Sequence, residues 1–163
     1  RRMWRDLDSL VRKKNGQFIA KKIKPTLIDA DQAKVSQVIQ NVLQNALKYG
    51  SRSGSVRVSI SAFPVSPSEF SDDMKLRLPH TNVPHFAYVA IDDGGHGVEQ
   101  EKSESLFRMF TRGRHSDQDG TGAGLAIVRS IVQAHEGVVW IRSLPERGFS
   151  VRMLLPKQPL RTQ

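Results

Sequence analysis

The sequence predicts an α+β domain, with helices layered on one face of a mixed or mostly antiparallel sheet. Three observations carry that prediction. Two segments show the three-four apolar spacing of one-sided helices, five short runs are patterned as strands, and they follow one another as β, α, β, β, α, β, β. At 163 residues with 38% hydrophobic content, the chain suffices for one domain with a substantial core and irregular ends.

Residues 1–14 read as a short helix, the end of one that begins upstream, broken at Asn15-Gly16. The next stretch, GQFIAKKIKPTLIDA, holds short apolar-containing runs around Pro25 that suit strands, and Asp31 stands where it can cap a helix. Residues 32–49 are that helix: Val35, Val38, Ile39, Val42, Leu43, Ala46 and Leu47 fall on one face, and Gly50 ends it. Residues 56–62 alternate as a half-exposed strand, and residues 86–91 read as a more fully buried one. Between them, residues 63–84 hold four of the eight prolines along with Ser, Asp and Asn, which predicts a mobile surface insertion or long hairpin loop. Residues 94–121 are poor in apolar groups apart from Leu106, Phe107, Met109 and Phe110, and a loop of that length inside a compact domain is usually functional. Helical spacing returns over 125–134, strands follow at 138–143 and 149–155 around a turn at 145–148, and residues 158–163 form a tail.

Composition narrows the function classes. No stretch approaches the roughly 20 apolar residues of a membrane span, and the first residues lack the apolar middle of a secretory signal. Zero cysteines exclude disulfides, thiolate chemistry and cysteine-ligated zinc, so a cytoplasmic setting is expected, with any membrane anchor in segments outside this sequence. The formal charge of +9 suggests an anionic partner. The basic residues are spread through the chain without interleaved aromatics, so nucleic acid is not expected to be that partner.

Three constellations carry chemistry. Asn41, Asn45 and Lys48 project from one helix face, where an amide oxygen can complete a magnesium shell and an ammonium can neutralise phosphate; the same spacing also suits a solvated face. Asp92-Asp93-Gly94-Gly95-His96-Gly97 follows a buried strand. There a carboxylate can accept a hydrogen bond from an exocyclic amine and glycine lets backbone approach a ligand, although Asp-Gly and Gly-Gly also favour plain hairpin turns. Gly120-Thr121-Gly122-Ala123-Gly124 precedes a helix whose free N–H groups suit phosphate, or else it is a hinge. It lacks the GK[ST] ending of a Walker loop.

Taken in order, these elements resemble the GHKL ATPase superfamily, and within it the histidine kinases. QVIQNVLQNALKYG is similar to their N box, IDDGGHGV to their G1 box, LFRMFTR to their F box and GTGAGLAIVRSIVQAHEG to their G2 box, over about residues 29–156. The resemblance implies a two-layer α/β sandwich of Bergerat type, with a mixed sheet covered on one face by about three helices. It implies a catalytic ATP-binding domain over 15–157, with a mobile ATP lid over 98–121. ATP and Mg2+ are the implied cofactors. Asn45 would ligate the metal with Asn41 beside it, Lys48 would meet phosphate, Tyr49 would line the adenine pocket, and Asp93 would bind the adenine amine. Gly95, Gly97 and Val98 would shape that pocket, Phe107 and Phe110 would anchor the lid, and Arg112 would reach phosphate. Gly120, Thr121, Gly122, Ala123 and Gly124 would close the triphosphate side, and Leu125 beside them is expected to pack more than to bind.

The resemblance further implies transfer of the γ-phosphate to a histidine, followed by a response regulator receiver domain. In the ATPase branches a glutamate four residues before the metal-binding asparagine activates water. Here that position is Asn41, which cannot take a proton at neutral pH and so disfavours hydrolysis. A non-catalytic nucleotide-binding or scaffold module and a GHKL ATPase are the alternatives. His135 matches a structural histidine of the G2 box, so the acceptor is expected on a dimerisation helix before Arg1 or on another protein. The fragment alone is then expected to be a monomer and the full-length protein a homodimer. Three departures stand out: His96 replaces a usual proline, Glu136 a usual glycine, and residues 63–84 exceed the usual hairpin. His96 and His115 are not expected to bind metal.

Overall fold

The computed structural model describes residues 12, 16–52, 55–78, 82–108, 123–143, 145–146 and 148–157. Along the chain run β1 (Gln17–Ile23), α1 (Gln32–Tyr49), β2 (Ser51–Arg52), β3 (Ser55–Val65), a 3-10 turn at Pro67–Glu69 and α2 (Asp72–Arg77). These are followed by β4 (Phe86–Asp93), α3 (Gln100–Ser103), a 3-10 turn at Glu104–Phe107, α4 (Gly124–Ala134), β5 (Val138–Ser143) and β6 (Phe149–Pro156). The sheet order is β1-β3-β4-β6-β5, with short β2 also pairing with β3. β1 and β3 are parallel and every other pair is antiparallel, so the sheet is mixed. A parallel pair needs a crossover, and α1 supplies it.

The predicted cap forms. Asp31 is extended and its carboxylate accepts from the backbone N–H groups of Ala33 and Lys34 at 2.8 and 3.1 Å, satisfying two free donors of the first turn. The apolar face of α1 then buries Val38, Val42, Leu43, Ala46 and Leu47 against α4 and the sheet. At the far end of α4, Gly137 N–H bonds Val132 O and Glu136 N–H bonds Gln133 O, the paired bonds of a Schellman motif. Its left-handed position, normally glycine, is Glu136 at φ 56°.

Strand alternation divides β4 between two cores. Ala87 and Ile91 join α1 and α4 in the main core, whereas Phe86, Tyr88 and Ala90 turn to the opposite face. There the structure departs from the expected loop over 63–84. Residues 63–65 complete β3, and the chain then lays Phe70 and Met74 over Phe86, Tyr88, Trp140 and Leu154. The rings of Phe70 and Phe86 lie 5.6 Å apart, and Trp140 Nε1–H donates to Asp73 at 2.7 Å. A sheet face rich in aromatic groups has to be covered, and this segment covers it.

Candidate functional site

The last three turns of α1 carry four of the candidate residues. Asn41, Asn45 and Lys48 are half-buried rather than on a fully solvated face, while Tyr49 stays 47% exposed at the helix end. The Asn41 side-chain amide donates to the backbone oxygen of Gly124 at 3.4 Å, which ties the middle of α1 to the start of α4. Asn45 lies beside the same residue: a Cβ added at Gly124 would stand 3.7 and 3.8 Å from its Nδ2 and Oδ1. The two amides therefore flank the α4 N-terminus, where Ala123 supplies no side-chain cap to the N–H groups of the first turn. The ammonium of Lys48 stands 5.2 Å from the Tyr49 ring centre.

The second group sits where α1 ends against β4. Asp93 follows the parity of Ile91 onto the helix side, whereas Asp92 faces the opposite side, meeting the Ser59 hydroxyl at 3.3 Å and Lys21 at 3.7 Å. The Asp93 Oδ1 accepts from Gly95 N–H at 2.9 Å. Burial pushes the Asp93 carboxyl from its ordinary 3.8 up to about 6; the charge of Asp92 adds to this, and hydrogen bonds from the backbone of Gly95 and Phe149 oppose it. Two glycines make room for this carboxyl. A Cβ at Gly50 would stand 2.8 Å from Asp93 Cβ and 2.3 Å from Ala46 O, and one at Gly95 would stand 2.6 Å from Tyr49 O. Gly50 has φ −81°, so close packing, not a left-handed backbone, requires glycine there.

Beyond Asp93 the chain is fastened to the β5–β6 end of the sheet. His96 Nδ1 lies 3.1 Å from Glu146 Oε1, Gly97 takes φ 67°, and Val98 N–H donates to Ser143 Oγ at 2.8 Å. Gln100 bonds Ile141 O and Ser143 N at 3.1 Å each, and the Phe107 side chain is buried in the main core. Leu125 is likewise buried there, so a part in the pocket would fall to its backbone. Phe110, Arg112, Gly120, Thr121 and Gly122, with His115, lie outside the described residues. Sequence reasoning missed Gln100, Ser143 and Glu146; single polar residues in loops and at strand ends have no periodic signature.

His135 is spoken for. Asp31 N–H can only donate, so His135 Nε2 accepts it at 3.1 Å, and the ring proton on Nδ1 donates to Ile131 O at 2.8 Å. Both ring nitrogens are occupied in joining the start of α1 to the end of α4, which fits the structural part expected of this residue.

The site as described offers a carboxylate acceptor beside an exposed aromatic ring at one end of α1. Lys48 adds an ammonium near that ring, and towards the middle of α1 two amides stand beside the α4 N-terminus. That arrangement suits a ligand with an amine-bearing ring at one end and anionic groups at the other.

Residues 30–159 match the family described as histidine kinase-, DNA gyrase B-, and HSP90-like ATPase. The sensor histidine kinase WalK of Bacillus subtilis (strain 168) is 32% identical over 132 residues, 79% of this chain and 19% of its own length. The adaptive-response sensory kinase SasA of Synechocystis sp. (strain ATCC 27184 / PCC 6803 / Kazusa) is 34% identical over 128 residues, 78% of this chain and 28% of its own length. The chain thus spans less than a third of these relatives. Among solved structures, the mycobacterial sensor histidine kinase MprB superposes with TM-score 0.74 at 24% identity, over 97% of this chain and 95% of that one. The catalytic domain of histidine kinase ThkA does so with TM-score 0.71 at 22% identity, over 97% and 91%. At these identities the likeness to solved structures speaks for the fold.

Proposed function

Because the chain belongs to the family of histidine kinase-, DNA gyrase B- and HSP90-like ATPases, we propose that it is the catalytic domain of a sensor histidine kinase. It binds Mg-ATP and passes the γ-phosphate to a histidine on a dimerisation helix outside this sequence, from which a response regulator receiver domain takes it. The observation that carries the reading is the joint position of Asp93 at one end of α1 and of Asn41 and Asn45 against the α4 N-terminus. Base recognition then falls at the C-terminal end of α1 and phosphate binding nearer its middle.

In this reading Asp93 accepts a hydrogen bond from the adenine amine, Tyr49 walls the base, and Gly95, Gly97 and Val98 shape its slot. Lys48 and the first turn of α4, from Ala123 through Leu125, receive phosphate. Arg112, Phe110 and the glycines at 120 and 122, with Thr121, complete the lid side. The magnesium is carried on the triphosphate and takes one amide oxygen from Asn45. Magnesium would neutralise charge on the transferred group. Asn41 donates to Gly124 O and, as an amide, offers no base for water, which favours transfer to an external nucleophile over hydrolysis.

Calorimetry with a non-hydrolysable ATP analogue tests the pocket. Asn45→Ala and Asp93→Ala should each weaken binding by at least about tenfold, the scale of a lost charge-assisted contact. Retained affinity in both would sink the assignment. Labelled ATP with and without a matching acceptor helix tests the chemistry: the helix should become labelled, and phosphate release without it should remain slow. An unlabelled helix points to a nucleotide-binding module, and rapid turnover without it to an ATPase.

A further inference from the structure

The segment between β3 and β4 covers one face of the sheet, and the end of its helix also meets the turn that follows α3. Arg77 ends α2, and its Nη1 lies 3.4 Å from Glu104 Oε1 in the 3-10 turn that follows α3. The second carboxylate oxygen of Glu104 accepts from Arg129 Nη2, on α4, at 2.8 Å. Arg129 in turn lies over the ring of Phe107, its guanidinium carbon 4.8 Å from the centre. One carboxylate therefore joins three elements: the insertion helix, the turn that seats Phe107, and the helix whose N-terminus faces Asn41 and Asn45.

The insertion end of this bridge is held firmly. Phe70 and Met74 are buried in the second core, and Asp73 accepts from Trp140 Nε1–H and lies 4.0 Å from Arg152. Arg77 thus projects from a docked helix, and its Nε is buried without a hydrogen-bond partner among the described residues. Glu104 is its ion-pair partner among the described residues. Each arm is half exposed, so either pair alone is worth little, but shared acceptors and a stacked ring couple the arms.

We infer that Glu104 is a positioning residue, which together with Arg77 makes the 66–78 insertion part of the nucleotide-binding apparatus by fixing Phe107 and α4 relative to one another. The inference rests on the proposed pocket, since its consequence is the placement of the α4 N-terminus towards phosphate. Among the described residues Arg77 bonds Glu104 and Glu104 bonds Arg129, so their effect is carried through α4 and Phe107.

The experiment uses the whole chain with Arg77→Gln, Glu104→Gln, the double variant and the conservative Arg77→Lys. Two quantities are read: amide hydrogen exchange of residues 100–107 without nucleotide, and calorimetric affinity for the non-hydrolysable ATP analogue with magnesium. Each Gln variant should speed exchange and weaken binding by about two- to fivefold, the range of a partly exposed ion pair. The double variant should do no worse than the single ones, and Arg77→Lys should stay near wild type. Melting temperature is followed alongside, because a merely structural contact would lower it without changing affinity. Unchanged exchange, or faster exchange with unchanged affinity, overturns the inference while the pocket stands. Failure of the wild-type chain to bind nucleotide sinks the pocket and the inference together, and is told apart because the wild type itself fails.

Discussion

Asp93 is held ionised at neutral pH in a place that resists its charge. Its carboxyl titrates near 6 in the folded chain instead of 3.8, so between those values the native state binds a proton that the unfolded chain releases. The cost of the bare charge is therefore full above pH 6 and is relieved as pH falls through 6 towards 3.8; at 1.36 kcal/mol per unit it is at most about 3 kcal/mol. Asp93→Asn keeps an oxygen for Gly95 N–H and removes the charge, so denaturant unfolding at pH 7.5 should show a more stable nucleotide-free chain. The same change should remove nucleotide binding. In the wild type, affinity for the ATP analogue should fall as pH drops through about 6, a fall that calorimetry would find missing if Asp93 did not contact the base. Glu136 is a second residue under constraint: at φ 56° an L side chain costs about 1 kcal/mol. Glu136→Gly should raise stability by about 0.5–1 kcal/mol, read by thermal melting, with no effect on binding.

At the scale of elements, α1 was legible from Asp31 to Gly50 because cap, period and stop agree on one answer. The strands were legible in kind but short at their ends: β3 runs to Val65 and β4 to Asp93, since pairing between them continues past the apolar runs that announce them. Residues 63–84 were read as a loop because prolines and polar residues dominate. Phe70 and Met74 are too few to show a period, and they gain meaning from the aromatic face they cover. Glycine and asparagine spacing named the candidate residues, of which the structure brings Asn41 and Asn45 to Gly124 and Asp93 to Gly50 and Gly95. The fastening through Gln100, Ser143, Glu104 and Arg129 was not legible, because it depends on strand-end and helix partners far apart in the chain. Met74→Ala makes the test at this scale. If α2 is an integral cover, unfolding free energy should drop by about 2–3 kcal/mol, as for a buried methionine. A solvated loop would leave it within about 0.5 kcal/mol.

For the whole molecule, the proposed pocket is assembled from parts distant in sequence: α1, the end of β4 and the start of α4. A ligand that touches all three binds the folded chain and not the unfolded one, so its binding energy becomes folding stability. At a hundredfold excess over Kd the Mg-bound ATP analogue should add about 2.7 kcal/mol. For a domain of this size that moves the melting temperature upward by roughly 5–11 °C. Asn45→Ala should leave the unliganded melting temperature near wild type and cut the shift to about half or less at the same ligand concentration. Asp93→Asn should separate the two quantities further, melting higher than wild type without nucleotide and lower than wild type with it. That reversal of order between two scans, one without ligand and one with it, is expected only if the same buried carboxylate both burdens the fold and holds the nucleotide. If the two chains keep one order in both scans, Asp93 does not join those roles.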